Sequence, residues 1–143
     1  MRAMQGQLSR ATMDKLIGEH YSYESDHDLE GVLATLTGDA AHDLVGDPAG
    51  VLHGPTEIRS RYEHYYQNLG PGRVTSNYRL YGDDFAVTEE TWTGPVPGEF
   101  AGIPGNGRQV TFRMLHVFQF RGELIHSESL WIDTGAIIAQ LTA

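Results

Sequence analysis

The sequence predicts an α+β domain in which three helices pack on a strongly curved antiparallel sheet, closing it into a cone with a cavity inside. Two features predict it. The first half of the chain holds three stretches with the i, i+3, i+4 spacing of amphipathic helices. From Arg73 the period changes to two and holds, with one Gly/Pro-rich interruption, to about Asp133.

At 143 residues the chain is read as one domain over 1–143, large enough for a real core. The net charge of −9 argues against nucleic acid or an anionic membrane surface as partner. No window is long and apolar enough to span a membrane. The start, MRAMQGQLSR, lacks the apolar run of a secretory signal, so the cytoplasm is expected. Cysteine is absent, which removes disulfides, thiol nucleophiles and thiolate metal sites. Seven Tyr, five Phe and two Trp suit an aromatic-lined interior.

Residues 1–8 are expected to be loose. Ser9 or Thr12 caps a first helix whose inward face carries Met13, Leu16, Ile17, His20 and Tyr21. Asp26 or Asp28 caps a second, with Leu29, Val32, Leu33 and Leu36 as its stripe and Gly38 placed to end it. A short strand follows at about Ala40–Gly46. Either His42, Leu44 and Gly46 or Ala41, Asp43 and Val45 face inward. The loop GDPAGVLHGP leads to Pro55, near the first position of a third helix with Ile58, Tyr62, Tyr65, Tyr66 and Leu69 on one face.

Strands are predicted at Val74–Tyr81 and Phe85–Thr93. The segment GPVPGEFAGIPGNG has too much turn chemistry for a strand and reads as a flap over a pocket mouth or a subunit contact. Then comes a long hairpin. Val110, Phe112, Met114, His116, Phe118 and Phe120 share one face of its first strand. Arg121, Gly122 and Glu123 make the reversal. With a two-residue loop, paired numbers sum to an odd total, and Ile125, Ser127, Ser129, Trp131 and Asp133 join the face of His116. A three-residue loop would instead bring in His126, Glu128, Leu130 and Ile132. The two-residue loop is favoured. The tail TGAIIAQL ends the chain as a short helical or extended piece that packs Ile137, Ile138 and Leu141.

An apolar face holding a few convergent polar groups suits a small-molecule pocket. His20, His42, His53 and His116 lack the short helical spacing of a zinc motif, so no metal is expected.

The pieces HDLVGDPAGVLHGPTEIRSRY (residues 42–62), GIPGNGRQVTFRMLHVFQF (102–120) and ESLWIDTGAIIAQL (128–141) resemble the nuclear-transport-factor-2-like (NTF2-like, cystatin-like) superfamily. More narrowly they resemble its SnoaL-like and ketosteroid-isomerase-like branch. The resemblance implies a cone-shaped fold over nearly the whole chain. It implies a cofactor-independent isomerase or polyketide cyclase acting on a hydrophobic carbonyl compound, polyketide- or terpenoid-like. It also implies a homodimer formed through the sheet. In ketosteroid isomerases the donor to the enolate oxygen falls at His116, the helical tyrosine at His20 or Tyr21, and the basic aspartate at Leu44. In SnoaL-like cyclases the penultimate-strand histidine falls at His116, and the acid of the last strand at Leu130 or Asp133.

His116 and Asp133 are therefore the catalytic candidates. His20, Tyr21, His42, Leu44, Tyr62, Trp92, Met114 and Trp131 are the pocket candidates. The competing reading is a non-catalytic ligand-binding or dimeric assembly domain, which the apolar Leu44 favours.

Overall fold

The computed structural model describes residues 7–143. The expected looseness of residues 1–8 falls, for 1–6, outside the described residues. Leu8 is tied down: its N–H donates to Asp83 O at 2.8 Å.

Helix α1 (Arg10–Ser25) starts at Ser9, whose hydroxyl accepts from Thr12 N–H, and buries the five residues its spacing predicts. Helix α2 (Leu29–Ala34) is capped by the Asp28 side chain. It stops earlier than Gly38, because Leu36 is taken into strand β1 (Leu36–Leu44), where it pairs with Ile125. Pairing to a distant strand overrides the local helical stripe here. The loop after β1 holds a further short strand, β2 (Val51–His53), and α3 (Gly54–Asn68) follows with Pro55 in its first turn.

Strands β3 (Arg73–Tyr81) and β4 (Phe85–Val96) lie near their predicted bounds, except that β4 runs on through Gly94, Pro95 and Val96. Pro95 is tolerated because β3 starts at Arg73, opposite Thr93, so no strand flanks Pro95 on that edge. There Pro95 O accepts from Gly70 N–H instead. The rest of the Gly/Pro-rich segment is a small hairpin of β5 (Glu99–Phe100) and β6 (Ile103–Pro104). Strands β7 (Arg108–Arg121) and β8 (Leu124–Ile132) and helix α4 (Thr134–Leu141) complete the chain.

Six strands form one sheet in the order β2-β1-β8-β7-β4-β3. It is mixed rather than wholly antiparallel, since β1 runs parallel to β8. Extra residues enter β3 between Ser76 and Tyr78, β1 between Leu36 and Ala41, and the β7–β8 pair beyond Gln119. Bulges of this kind bend and twist a sheet, which suits a cone.

The last bulge corrects the expected register. The turn has two residues, as favoured, with Arg121 opposite Leu124 and Gly122 at φ 59°. Phe120 opposes Ile125, but Gln119 opposes Ser127, leaving His126 as an extra residue. Beyond it, His116 faces Leu130 and Phe118 faces Glu128. A slip of one residue moves every later side chain to the other face. Glu128, Leu130 and Ile132 therefore join His116, while Ser127, Ser129 and Trp131 turn outward.

Three apolar clusters hold the layers together. Met13, Ile17 and Tyr21 of α1 pack on Phe118, Phe120 and Ile125. Ile137 and Leu141 of α4 pack on Val96, Val110 and Phe112. Val32, Ala40, Ile58 and Tyr62 join α2, β1 and α3. Fully burying a side chain such as Phe118 or Ile58 contributes about 1.5–3 kcal/mol. The main cavity takes lining from the second and third clusters and opens between them.

Candidate functional site

The cavity has a volume of about 660 Å³, within the range for small-molecule sites. Trp92, Phe112, Met114, Leu130 and Ile132 of the sheet and Tyr62, Tyr65 and Tyr66 of α3 give it an apolar and aromatic wall. The β5–β6 hairpin borders it through Glu99, Phe100 and Ala101. Its polar residues include His42, His116, Glu24 and Glu128.

Glu128 organises the polar end. It is 2% exposed and stands among three histidines from three elements. Its Oε1 lies 3.4 Å from His116 Nε2. Its Oε2 lies 3.2 Å from His20 Nε2 and 3.6 Å from His42 Nε2. Burial opposes the charge of a carboxylate, but the neighbouring imidazoles, His20 first, outweigh it and hold the Glu128 pKa well below the usual range.

The three histidines differ in state, and their hydrogen bonds say why. The Thr35 hydroxyl donates to Val32 O at 2.6 Å, so at 2.8 Å it accepts from His20 Nδ1–H. His20 Nε2 then faces Glu128 and, at 2.9 Å, Glu24 Oε1. Burial lowers a histidine's pKa, yet the Glu128 and Glu24 carboxylates raise that of His20 to about 10. His42 is the opposite case. Arg61 NH1 lies 3.1 Å from His42 Nδ1, and arginine only donates. His42 Nδ1 therefore accepts, and the proton sits on Nε2. Burial, against the pull of Glu128 and with the push of Arg61, lowers the His42 pKa and keeps it neutral.

His116 is flanked on both sides. Its Nδ1 lies 3.0 Å from Glu90 Oε2, and Tyr21 donates its hydroxyl to Glu90 Oε1 at 2.6 Å. Burial lowers the His116 pKa, but the Glu90 hydrogen bond and the Glu128 charge raise it overall. Glu90 fixes the ring so that Nε2 faces Glu128 and the cavity. Tyr62 donates to Glu24 Oε1 at 2.5 Å and closes the network. Arg61, 5% exposed, also donates to Gly50 O at 2.7 Å and pairs with Asp47 at 3.2 Å, bracing the loop after β1.

The residues predicted from sequence divide accordingly. His42, Leu44, Tyr62, Trp92, Met114 and His116 border the cavity. His20 and Tyr21 stand behind its wall, bonded to groups that reach it. Trp131 and Asp133 do not border it. Trp131 is 43% exposed on the outer face, and Asp133 caps α4 by accepting from Ala136 N–H. The bulge at His126 is the physical cause.

Sequence reasoning missed Glu24, Glu90, Arg61 and Glu128. Glu24 follows His20 by one helical turn. Arg61 sits in the buried Ile58, Arg61, Tyr62 stripe of α3. Glu90 follows Ala86 and Thr88 on the inward row of β4. Glu128 belonged to the register not favoured.

The SnoaL-like domain family matches residues 17–128. Among curated proteins none matches the chain. Solved structures share its fold. TsrD from Streptomyces laurentii has 21% identity over 94% of this chain and 98% of that one, with a TM-score of 0.80. A protein of Jannaschia sp. CCS1 described as a SnoaL-like polyketide cyclase has 14% identity over 100% and 97%, with a TM-score of 0.82. An LEH-like epoxide hydrolase of M. tuberculosis has 15% identity over 92% and 90%, with a TM-score of 0.72. At these identities the likeness is one of fold. With its family match spanning most of its length and its cone around a polar-ended cavity, this chain belongs to the SnoaL-like domain family.

Proposed function

We propose that the protein is an enzyme that moves protons on a hydrophobic carbonyl compound, by isomerisation or ring closure, without a redox step. The observation that carries this reading is the pairing of Glu128 Oε1 with His116 Nε2 at 3.4 Å beside a large apolar cavity. Glu128 and His116 can pass a proton between them; the imidazoles that hold Glu128 ionised also weaken it as a base, and a substrate carbonyl that draws His42 and His116 to itself restores its basicity. Glu128 takes the role first assigned to Asp133. It removes the proton next to a substrate carbonyl. The neutral His42 Nε2–H and the His116 imidazolium donate to the oxygen on which negative charge develops. The proton then returns from Glu128 to another carbon, or the enolate carbon attacks a second carbonyl and His116 protonates the new alkoxide. Glu90 and Tyr21 act through His116, as positioning residues.

The substrate class follows from the wall. Trp92, Phe112 and the α3 tyrosines accept a flat apolar molecule of polyketide or terpenoid type. The test is solvent deuterium incorporation, followed by NMR, into a panel of enolisable aromatic ketones and diketones. Exchange by the wild type that is lost in Glu128→Gln and reduced at least tenfold in His116→Gln is expected. Saturable binding of the panel with no exchange would instead identify a non-catalytic binding domain.

We also read the protein as a homodimer through the outer face of the sheet. There Trp131 pairs with Leu115, and Val117 lies between Ser129 and Val87. Leu80, 60% exposed, and Tyr78, 49% exposed, extend this apolar band onto β3.

A further inference from the structure

The polar end of the cavity gathers carboxylates and imidazoles from four elements: His20 and Glu24 of α1, His42 of β1, His116 of β7 and Glu128 of β8.

Two buried atoms there are left without a partner. Glu128 Oε2 and His42 Nε2 have no hydrogen-bond partner among the described residues. They lie 3.6 Å apart, and both residues border the cavity. His20 Nε2 comes within 3.2 Å of Glu128 Oε2 without making a hydrogen bond that satisfies that oxygen.

We propose that His20 Nε2, Glu24 Oε1 and Glu128 Oε2 form a binding site for a divalent transition-metal ion at the cavity wall. The three donors lie within 4.8 Å of one another. His20 Nε2 is 2.9 Å from Glu24 Oε1 and 3.2 Å from Glu128 Oε2. Donors bound to one ion at about 2.0–2.2 Å stand roughly 2.8–3.6 Å apart, so two edges already fit. The third edge lies within 4.8 Å and closes when Glu24, whose side chain is 23% exposed and whose Oε1 accepts from Tyr62, turns toward Glu128. Thr35 takes the Nδ1–H of His20, which directs the Nε2 lone pair at the ion, as outer partners of metal-binding histidines do. One imidazole and two carboxylates suit Zn²⁺, Mn²⁺ or Fe²⁺. The cavity supplies the remaining coordination positions, where a ligand oxygen or water would bind. His42 is not a donor to the ion, because Arg61 occupies its Nδ1 and leaves Nε2 protonated. It faces the site as a hydrogen-bond donor.

An ion there takes up the unpartnered Glu128 Oε2 together with the Nε2 of His20. Glu128 Oε1 stays turned to His116, so the metal site shares Glu128 with the acid/base pairing above but uses its other oxygen.

The test uses the purified full chain stripped with chelator. Co²⁺ and Mn²⁺ are titrated in separately, read by calorimetry, by the visible spectrum of Co²⁺ and by the EPR signal of Mn²⁺. One equivalent is expected to bind and to raise the thermal midpoint. Glu24→Gln, a partly exposed position that should fold normally, is expected to weaken binding at least tenfold. Sub-stoichiometric binding, or equal affinity in Glu24→Gln and wild type, overturns the proposal. Deuterium exchange by the metal-stripped protein is scored separately, so a failed titration removes the metal site and leaves the acid/base reading intact.

Discussion

Arg61 NH1 lies 3.1 Å from His42 Nδ1, and this one contact sets the state of a cavity-lining histidine. An arginine beside an imidazole leaves it no choice of tautomer. The ring must accept on Nδ1 and present Nε2–H to the cavity. Removing the arginine frees the ring to choose. We expect Arg61→Met to raise the His42 pKa and to cost about 2–4 kcal/mol, since the Asp47 carboxylate and the Gly50 and His42 carbonyls lose their donor. Long-range ¹⁵N–¹H NMR of the histidine rings checks it: the wild type should show a single Nε2–H tautomer at His42, and the variant should lose it.

The His116–Glu90 pair should shape stability against pH. Glu90 is buried, which favours its neutral form, but the His116 hydrogen bond holds its folded pKa below the usual 4.5. Its contribution is present above about that pH and is lost as the pH falls through the folded value. His116 has its folded pKa raised above 6.5, so its contribution is present below that pH and is lost as the pH rises through the folded value. The pair is therefore worth most between these limits. In Glu90→Gln, thermal unfolding across pH should show a flatter profile and a midpoint stability lower by roughly 1–3 kcal/mol. An unchanged profile would mean the pair is not ionic.

The extra residue His126 sets which side chains meet the cavity. Deleting it takes the extra residue out of β8, so Phe118 still meets Glu128 and His116 still meets Leu130, now in a hairpin without a bulge. We expect the deletion variant to keep the inward face of β8 and to unfold cooperatively at a lower midpoint, because the bend that the bulge gives the sheet is lost, whereas His126→Ser keeps the bulge and the wild-type midpoint. Circular dichroism melts of the two variants separate these outcomes.

Trp131 and Trp92 should respond to different experiments. Trp92 borders the cavity and packs on Phe112 with ring centroids 5.2 Å apart. Trp92→Ala should weaken binding of a flat apolar ligand by about 1–3 kcal/mol and leave the oligomeric mass unchanged. Trp131→Glu lies on the outer face and should shift the mass in light scattering from dimer to monomer while ligand affinity holds.

By itself the sequence determined what local spacing can determine. The helical stripe of α1 placed His20 and Tyr21 inward with Met13 and Ile17, and the alternation of β7 put His116 on the cavity side. Both depend only on the geometry of a single element. The Gly122 turn was also legible, because it needs two residues and a positive φ. The carboxylate that meets His116 from the neighbouring strand β8 was not. Its identity turns on one unpaired residue, His126, six positions beyond Phe120 along the chain, and a period-two pattern reads equally well in either register. The bulge is settled by what the rest of the fold supplies: β1 pairing in parallel along β8, and three histidines from α1, β1 and β7 converging on one carboxylate. Tertiary structure alone decided that this carboxylate is Glu128 and that Asp133 caps a helix, because the choice rests on contacts between residues far apart in sequence.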